Sequence, residues 1–375
     1  MIAVVSKFAP HAGGTATVWT EWCKRCPRER LLIIAPYEQG CQEFDQAQKF
    51  QIIRIRYPDI PKIRMPLLWL FLGLRACWEA LWRRPVLIHF QQVFENASWG
   101  PLIKFLFKVP YIVHVYGEEL VLARRHGWLD SWVRRVLAGA RSVTTISHYS
   151  IELLRQMGYT RKVELIYPGV DTDRFAPGPS QGLLSRLGVP AGPTLLTVGR
   201  LMERKGHDMV LRALARLVVG RPDLSYVVAG LGPEGARLRR LTEELGLLER
   251  VFFLGKVSDR DLPQLMRECT AFVHPNRLTS TGDVEGFGIV FLEASACAVP
   301  VIGGATGGAV DAISQGKSGY LVNPEDLEEL VGVLQRLLDN PQHCRQLGAQ
   351  GRAFALGFSW AEAARTVWER LSIVW

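Results

Sequence analysis

The stretch TLLTVGRLMERKGHDMVLRALARLVV, residues 194–219, joins a short apolar run to an amphipathic segment through a loop of glycine and basic residues. The run Thr194–Val198 is long enough for a buried strand and too short for a helix. From His207 to Val219 the apolar residues recur at helical spacing, so a helix is predicted there. A strand, a turn and a helix in this order form the repeating unit of a parallel sheet covered by helices.

The same alternation runs along the whole chain in two groups. The strands predicted in the first group are Ile2–Val5, Leu31–Ala35, Ile52–Ile55, Val86–Phe90, Tyr111–Val115, Val143–Ile146 and Val163–Ile166. Those predicted in the second group are Thr194–Val198, Ser225–Ala229, Val251–Leu254, Ala271–His274 and Val299–Ile302. We therefore predict an α/β protein with two Rossmann-like, doubly wound domains, whose ligands bind where the carboxyl ends of both sheets face each other across a deep cleft.

A turn-rich stretch, PGVDTDRFAPGPS at residues 168–180, separates the two groups and has the composition of a domain linker. It predicts a first domain of residues 1–170 and a second of residues 171–358. The length of 375 residues agrees with this division, because one domain usually has roughly 100 to 200 residues.

The formal net charge of +9 indicates an anionic partner, and nucleic acid, a membrane surface and a phosphorylated substrate all fit it. The first residues lack the basic flank and the long apolar region of a signal peptide. Seven cysteines show no paired framework, which is typical of a reducing compartment. We therefore expect a cytoplasmic protein.

The segment between Lys62 and Arg84 is predicted to be an apolar helix with one narrow polar stripe. Its run Pro66–Leu74 is too short to span a bilayer, which needs about 20 apolar residues. The stripe and the tryptophans of this segment are Arg75, Glu79 and Arg83, with Trp69, Trp78 and Trp82. Two interpretations are open: a helix packed on its own sheet, or a surface helix that enters an anionic membrane.

Glycines and basic residues follow two of the predicted strands. Gly13 and Gly14, after the first strand, leave room for a phosphate at a helix start, although a tight turn alone also requires glycines. After Val198, Arg200 can bind phosphate oxygens through its forked guanidinium, and Lys205 can add a mobile charge. A solvated basic loop is the alternative for this pair.

The stretch EGFGIVFLE, residues 285–293, places two carboxylates around a helix start. Glu285 lies in a glycine-flexible loop, and Glu293 lies in an otherwise apolar helix, where it could meet a ribose. Free N–H groups near Gly288 and Ile289 could meet a phosphate. The alternative is that Glu293 points outward, and periodicity does not separate the two.

Together these residues resemble the retaining glycosyltransferases of the GT-B fold, in the large family four that includes sucrose synthase and bacterial phosphatidylinositol mannosyltransferases. The resemblance covers nearly the whole chain, and its specific part is the glutamate pair with the basic pair upstream. It also rests on Gly13-Gly14, on GVD at 169–171 and on GGAVD at 307–311. The neighbourhood DVEGFGIVFLEAS, residues 283–295, is especially similar to mannosyltransferases that act on phosphatidylinositol mannosides.

The resemblance implies a role for each matching residue. Arg200 and Lys205 would stabilise the donor diphosphate, and Glu285 would bind hydroxyls of the transferred sugar; these three form the catalytic set. Glu293 would bind the nucleotide ribose, and Gly14 would give the diphosphate room. The remaining donor contacts would be the backbone of Phe287, Gly288 and Ile289 and, in the base pocket, Val257.

One motif departs from the family pattern. Relatives often carry His-Gly-x-Asp or His-Gly-x-Glu at the end of the fifth strand, where this chain has Tyr116-Gly-Glu-Glu119. His114 lies two residues earlier, on the same strand face as Tyr116, so a role in the cleft and a buried structural role are both open to it. We assign Gly13, His114, Tyr116 and Glu119 to acceptor or sugar contacts.

The resemblance implies a metal-independent, retaining transfer of a hexose from a nucleotide diphosphate sugar to an acceptor hydroxyl. GDP-mannose is the favoured donor, and a lipid-linked or glycan acceptor is the favoured partner, with no cofactor, no metal and no nucleic acid. The net charge and the Trp-rich segment favour the inner face of a membrane. The family also implies that residues 359–375 form a helix that returns to the first domain.

Four other functions are weighed against this one. UDP-glucose or UDP-N-acetylhexosamine could replace GDP-mannose as the donor, and a nucleotide-sugar epimerase can have the same GT-B fold. An NAD-dependent oxidoreductase is disfavoured because the first turn lacks the Gly-x-Gly-x-x-Gly spacing. A non-catalytic binding module is disfavoured because it has less need of the full set of basic and acidic residues.

Overall fold

The structure of the protein is a computed structural model that describes residues 1–11, 13–26 and 31–370. The chain divides into two compact units. The first unit consists of Met1–Gly169 and the segment that begins at Trp360, and the second consists of Val170–Ser359. Residues 371–375 of the predicted C-terminal helix lie outside the described residues.

A seven-stranded sheet forms the centre of the first unit, and all of its neighbouring strands are parallel. The strands are β1 (Ile2–Val4), β2 (Leu32–Pro36), β3 (Gln51–Ile55), β4 (Ile88–Phe90), β5 (Tyr111–Val115), β6 (Ser142–Thr145) and β7 (Val163–Leu165). The order β3-β2-β1-β4-β5-β6-β7 places a topological switch point between β1 and β4. The doubly wound prediction is confirmed for this unit, with strand ends displaced by one or two residues.

A six-stranded parallel sheet forms the centre of the second unit. The strands are β8 (Thr194–Val198), β9 (Ser225–Ala229), β10 (Val251–Gly255), β11 (Ala271–His274), β12 (Val301–Gly304) and β13 (Gly319–Val322). The order β10-β9-β8-β11-β12-β13 places the switch point between β8 and β11. Strand β13 was not among the strands predicted from the sequence, because this short edge strand starts at a glycine that must approach the Val301 carbonyl closely.

Helices cover both sheets. The helices between the strands of the first unit are α1 (Gly14–Lys24), α2 (Cys41–Gln46), α3 (Arg64–Arg83), α4 (Gly100–Phe107), α5 (Glu118–Arg124), α6 (Gly127–Gly139) and α7 (His148–Gln156). Those of the second unit are α8 (Leu183–Arg186), α9 (His207–Leu217), α10 (Gly235–Glu244), α11 (Leu262–Glu268), α12 (Ile289–Ala296), α13 (Ala309–Ala312), α14 (Leu327–Asp339) and α15 (Pro341–Ala355). The last helix, α16 (Trp360–Arg365), continues into a π-helical turn, Thr366–Arg370.

The C-terminal segment is anchored to the first unit. Helix α16 packs against α1, and the indole N–H of Trp368 in the π-helical turn donates to the Trp22 carbonyl at 2.8 Å. Both tryptophans are buried. A buried indole N–H favours such an acceptor, so this contact helps to hold the π-helical turn on the first unit.

Helix α3 has one face on the sheet and one face in solvent. Its inner face contributes Leu68, Leu72, Ala76 and Ala80 to the core of the first unit. The predicted polar stripe is arranged around Glu79, which is buried and forms ion pairs with the arginines one turn away on either side. The helix is therefore packed on its own sheet, as the first interpretation predicted. No helix in the described part of the chain combines the length and the hydropathy needed to cross a membrane.

Candidate active site

Glu285 is the centre of a cluster of charges in the second unit. It lies in the loop between β11 and α12, and its Oε2 accepts hydrogen bonds from Lys205 Nζ and Arg204 Nη1, each at 2.5 Å. Both donors belong to a 3₁₀ turn, Glu203–Lys205, that follows β8. Because β8 and β11 flank the switch point, the loops at their carboxyl ends meet at one edge of the sheet. The structure thus brings two predicted site residues, Lys205 and Glu285, into contact.

Nearby cations set the protonation state of this cluster. Burial would raise the pKa of Glu285, but Lys205 and Arg204 lower this pKa far below its usual range. Burial lowers the pKa of Lys205, and Glu285 counteracts part of that shift. Glu285 is therefore an ionised carboxylate at neutral pH, and its Oε1 has no partner among the residues that the structure describes.

His274 is a site residue that sequence analysis did not identify. It ends β11, has no exposed surface, and places Nε2 3.8 Å from the Glu285 Oε2. Burial lowers its pKa well below the usual value, and the charge of Lys205 lowers it further, so the ring is neutral. Its position inside an apolar strand gave no signal of a functional role.

Arg200 stands apart from the cluster. It lies two residues after the end of β8, and its exposed side chain has no hydrogen bond or ion pair with any described residue. Arg200 was predicted to act together with Lys205, whereas in the structure Arg204 and Lys205 contact one carboxylate. Three cations lie in the same eight-residue loop, and only the fold of the 3₁₀ turn decides which two meet Glu285.

The start of α12 carries three of the predicted donor contacts. Gly288 caps the helix with a left-handed φ of 88°, and a Cβ there would lie 2.5 Å from a ring carbon of Phe291. Ile289 is the first helical residue, so its N–H has no intrahelical acceptor. Phe287 is buried and its ring contacts that of Phe358, with centroids 6.1 Å apart.

The GGAVD segment supports the loop that carries Glu285. The Gly308 N–H donates to the Glu285 carbonyl at 2.7 Å, and a Cβ on Gly308 would lie 1.9 Å from the Gly286 carbonyl oxygen. Asn276 accepts the Gly304 N–H at 3.1 Å and so joins the end of β11 to β12. These glycines are required because two backbone segments pass too close for a side chain.

Glu293 is the fifth residue of α12 and the second carboxylate of the motif. It is partly buried, and burial raises its pKa to about 7, with Arg174 opposing and Asp259 adding to that shift. Within the described residues its carboxylate has no hydrogen-bond or ion-pair partner. Val257, predicted for the base pocket, is partly buried just after β10.

Two Asp-x-Asp triplets begin at Asp171 and Asp259, and each serves a local turn. Asp171 accepts the Arg174 N–H at 3.1 Å, and Asp261 accepts the Ser258 hydroxyl at 2.7 Å. Over residues 1–11, 13–26 and 31–370, no group of three or more His, Cys, Asp or Glu side chains is arranged to hold a metal ion.

A second buried carboxyl lies in the first unit, just after β5. Glu119 Oε1 accepts the Tyr116 N–H at 2.8 Å, while its Oε2 has no partner in the described part of the chain. Burial raises the pKa of Glu119 to about 8, and the charges of Glu118 and Glu95 add to the shift. The Tyr116 hydroxyl accepts the Trp19 indole N–H at 2.8 Å. Tyr116 and Glu119 therefore lie together, and Glu119 is mostly protonated at neutral pH.

His114 lies in the core of the first unit. It has no exposed surface, and its Nδ1 lies 2.6 Å from the Thr144 hydroxyl. Its ring packs at edge-to-face angles against Trp22 and Tyr116, with centroids 5.2 and 4.7 Å apart. Burial lowers its pKa well below the usual value, and His89 lowers it further. Of the two roles left open, this position fits the buried structural one.

Gly13 and Gly14 lie at the start of α1, as its N-cap and its first residue. Gly13 caps the helix with a φ of 141°, and a Cβ built there would meet nothing within 4 Å. Its carbonyl accepts the N–H and the hydroxyl of Thr17, at 3.0 and 3.1 Å. The backbone angle explains glycine at position 13. The predicted sugar contact of Gly13 and diphosphate contact of Gly14 stay predictions.

Two protein-family models match the chain. The model described as Glycosyltransferase Family 4 matches residues 12–174, and the model described as Glycosyl transferases group 1 matches residues 188–354. The first match therefore lies almost entirely in the first unit, and the second lies within the second unit.

Curated relatives match the chain almost from end to end. A GDP-mannose-dependent alpha-(1-6)-phosphatidylinositol monomannoside mannosyltransferase of Mycolicibacterium smegmatis is 30% identical, over 99% of this chain and 98% of the relative. A GDP-mannose-dependent monoacylated alpha-(1-6)-phosphatidylinositol monomannoside mannosyltransferase of Corynebacterium glutamicum is 32% identical, over 94% of this chain and 92% of the relative. Among solved structures, Anabaena HepE in complex with UDP and glucose has a TM-score of 0.83 at 22% identity, over 100% of this chain and 99% of that one. At this identity the likeness concerns the fold.

Proposed function

Because the chain belongs to the family-four glycosyltransferases, which have the GT-B fold, we propose that it transfers mannose from GDP-mannose to an acceptor hydroxyl with retention of configuration. The observation that carries this proposal is the ionised Glu285, close in sequence to the start of α12. Lys205 and Arg204 hold one of its oxygens, and the other has no partner among the described residues. Relatives named as GDP-mannose-dependent support a guanosine donor over a uridine donor.

The donor would bind at the carboxyl edge of the second sheet. The guanidinium of Arg200, which is exposed and has no partner among the described residues, can bind the diphosphate through two N–H groups. The N–H groups at Gly288 and Ile289 add donors at a positive helix end. Glu293, with a pKa of about 7 and no protein partner among the described residues, is available to a ribose hydroxyl. Glu285 Oε1 is available to a hydroxyl of the sugar.

The reaction breaks the bond between the sugar and the diphosphate as the acceptor oxygen attacks the same face. The acceptor proton passes to the departing phosphate oxygen, so retention requires no enzyme nucleophile. Negative charge develops on the leaving diphosphate, where Arg200 and Lys205 would stabilise it. Removing one such preorganised donor typically costs about 3 to 4 kcal/mol of transition-state stabilisation. With these cations in place, we propose that catalysis needs no metal and no cofactor.

Calorimetry with GDP-mannose, UDP-glucose and UDP-N-acetylglucosamine tests the donor. We expect the wild type to bind GDP-mannose selectively and Glu293→Ala to bind it at least about tenfold more weakly, since a hydrogen bond to a charged group contributes about 1.5 to 3 kcal/mol. Glu249→Ala, at an exposed carboxylate in the same unit, is the matched control. Selective binding of a UDP-sugar would overturn the choice of nucleotide, and no binding of any donor would sink the proposal.

The acceptor side of the proposal rests on an exposed apolar surface of the first unit. Helices α3 and α4 are in contact, as are α4 and α6. Their exposed apolar residues, which we call the aromatic face, are Leu70, Leu74, Trp78, Leu81 and Trp82 of α3, Leu102, Phe105 and Leu106 of α4, and Trp128 and Trp132 of α6. Trp82, Phe105 and Trp128 are 68%, 72% and 75% exposed. Large rings are seldom left this exposed on a surface without a partner.

Basic residues occur on the same helices. Arg83 and Arg84 end α3, and Lys104 and Lys108 lie on and after α4, all with exposed side chains. Aromatic rings beside lysine and arginine suit the interface of an anionic membrane, where rings enter the headgroup region and cations meet phosphates. We therefore propose that the enzyme acts as a peripheral protein at the cytoplasmic face of the membrane, on a lipid-linked acceptor.

Flotation with vesicles of phosphatidylglycerol and phosphatidylcholine tests this surface. The wild type should float at low salt and less at high salt, because the electrostatic part of the attraction is screened. A Trp78→Glu, Trp82→Glu variant should stay in solution, whereas Val219→Glu, which changes an exposed apolar residue of the second unit, should float. Wild-type protein that fails to float at low salt would refute the membrane role and leave the donor proposal intact.

A further inference from the structure

Arg204 bridges two carboxylates of the loop between β11 and α12. Its Nη1 lies 2.5 Å from Glu285 Oε2, and its Nε lies 3.1 Å from Asp283 Oδ1. Asp283 and Glu285 are two residues apart, so a single planar guanidinium contacts both ends of this short segment. A guanidinium in this position restricts where the segment lies and how the Glu285 carboxylate is turned.

Lys205 cannot provide the same restriction. Its Nζ contacts the same Glu285 oxygen, but an ammonium at the end of a flexible stem fixes a distance and not a plane. The Lys205 side chain is 10% exposed and that of Arg204 is 20% exposed, so Arg204 is the more exposed of the two cations. The two cations therefore share one oxygen of Glu285, and of these two only the guanidinium also forms an ion pair with Asp283.

Asp283 and the backbone of Arg204 are each anchored by further hydrogen bonds. The Asp283 carbonyl accepts the Thr279 N–H at 3.0 Å, and the Asp283 N–H donates to the Thr279 hydroxyl at 2.9 Å. The Arg204 carbonyl accepts the Arg277 N–H at 2.8 Å, which ties the 3₁₀ turn to the chain after β11. Because the guanidinium lies between these fixed segments, it can restrain the position of the Glu285 carboxylate.

From this geometry we infer that Arg204 is a positioning residue, which fixes the Glu285 carboxylate so that its unengaged oxygen meets the sugar of the donor and not the nucleotide. This inference rests on the proposed function, because it takes a nucleotide sugar as the ligand. Its distinguishing consequence concerns which part of the donor loses affinity. A cation that contacted the diphosphate directly would affect nucleotide and nucleotide sugar alike, whereas a residue that acts through Glu285 affects only the sugar.

The experiment compares binding of GDP and of GDP-mannose by calorimetry, in the wild type, Arg204→Gln, Arg204→Lys and Asp283→Asn. Arg204→Gln should weaken GDP-mannose about tenfold and leave GDP within about twofold. Arg204→Lys keeps the charge without the fork, so it should recover only part of the loss. Asp283→Asn leaves both Arg204 and Glu285 in place and should show a smaller loss, again only for GDP-mannose. Arg212→Gln, at an exposed arginine of α9 without a described partner, is the matched control.

A second measurement separates positioning from a general loss of structure. With one cation removed, the pKa of Glu285 should rise, so the ratio of GDP-mannose affinity to GDP affinity should begin to fall at a higher pH in Arg204→Gln than in the wild type or Arg212→Gln. Titration of Glu293, which would meet the ribose that both ligands share, cancels in this ratio. Equal weakening of GDP and GDP-mannose, or unchanged binding of both, would overturn the inference alone. If the sugar adds no affinity in the wild type, the proposed donor fails first, and the inference falls with it.

Discussion

Glu285 of the second unit and Glu119 of the first are both buried carboxyl groups beyond a parallel strand, yet their pKa values move in opposite directions. Burial raises the pKa of both carboxyl groups. At Glu285 two cations on one oxygen reverse that effect, whereas Glu119 meets backbone N–H groups and the charges of other carboxylates. One site therefore holds an anion and the other holds a neutral acid. Partners, not depth, decide what a buried carboxyl can do.

Glu285→Gln should give the largest effect. It removes the only side-chain anion on Lys205 among the described residues, and leaving a buried charge without its partner typically costs about 3 to 5 kcal/mol of unfolding free energy. Transfer activity should fall about 100-fold or more, because the sugar contact and the order of both cations are lost. Denaturant unfolding and a transfer assay measure the two effects, with Glu249→Gln as the control. A variant with wild-type stability would show that the ion-pair cluster contributes little to folding.

Glu119→Gln should raise the stability of the protein at pH 8, whereas Glu285→Gln should lower stability. The native pKa of about 8 lies above the unfolded value of about 4.5, so the native state binds the proton more tightly. The stability of the wild type should therefore fall as pH rises from about 4.5 to about 8 and then level off, and a neutral glutamine escapes this loss. The variant should match the wild type near pH 4.5 and exceed it at pH 8. If the difference in unfolding free energy between the variant and the wild type is the same at pH 4.5 and at pH 8, a protonated Glu119 would be contradicted.

Gly288→Ala tests whether the backbone before α12 keeps Glu285 in place. A side chain at a φ of 88° is strained, and the new Cβ would press on Phe291, so we expect a loss of about 1 to 3 kcal/mol together with weaker GDP-mannose binding. Gly332→Ala, inside α14 with open space around the new Cβ, should stabilise the protein by about 0.5 to 1 kcal/mol. Equal melting temperatures for both variants would mean that the left-handed cap is not required.

Tyr116→Phe, which changes a residue beside Glu119, should have the smallest of these effects on stability. It removes the acceptor of the buried Trp19 indole N–H but keeps the backbone N–H that Glu119 accepts. We expect a loss of about 1 to 2 kcal/mol in unfolding free energy, with the pH dependence due to Glu119 unchanged. Trp128→Phe, at a highly exposed ring of the same unit, is the control. A changed pH dependence would show that the hydroxyl, and not only the backbone, sets the state of Glu119.

The two units also differ in how far sequence analysis reached. In the second unit the motif places Glu285 and Lys205 at strand ends that flank a switch point, and they do meet. The motif did not show whether Arg204 or Arg200 contacts Glu285, because the direction of each side chain depends on the conformation of the turn. In the first unit the departure at Tyr116 was visible, but the aromatic packing around His114 depends on strands β4, β5 and β6 lying side by side.

The amino-acid sequence by itself determined the alternation of strands and helices, the two-part organisation, the family and the position of its glutamates and glycines. These features follow from local periodicity and from motifs within one strand, turn and helix. Only the tertiary structure decided that Arg204 shares Glu285 with Lys205, that Glu119 holds its proton and that α3 turns a row of exposed rings outward. Charge states and exposed faces depend on which distant segments approach a residue, and no local pattern records that approach.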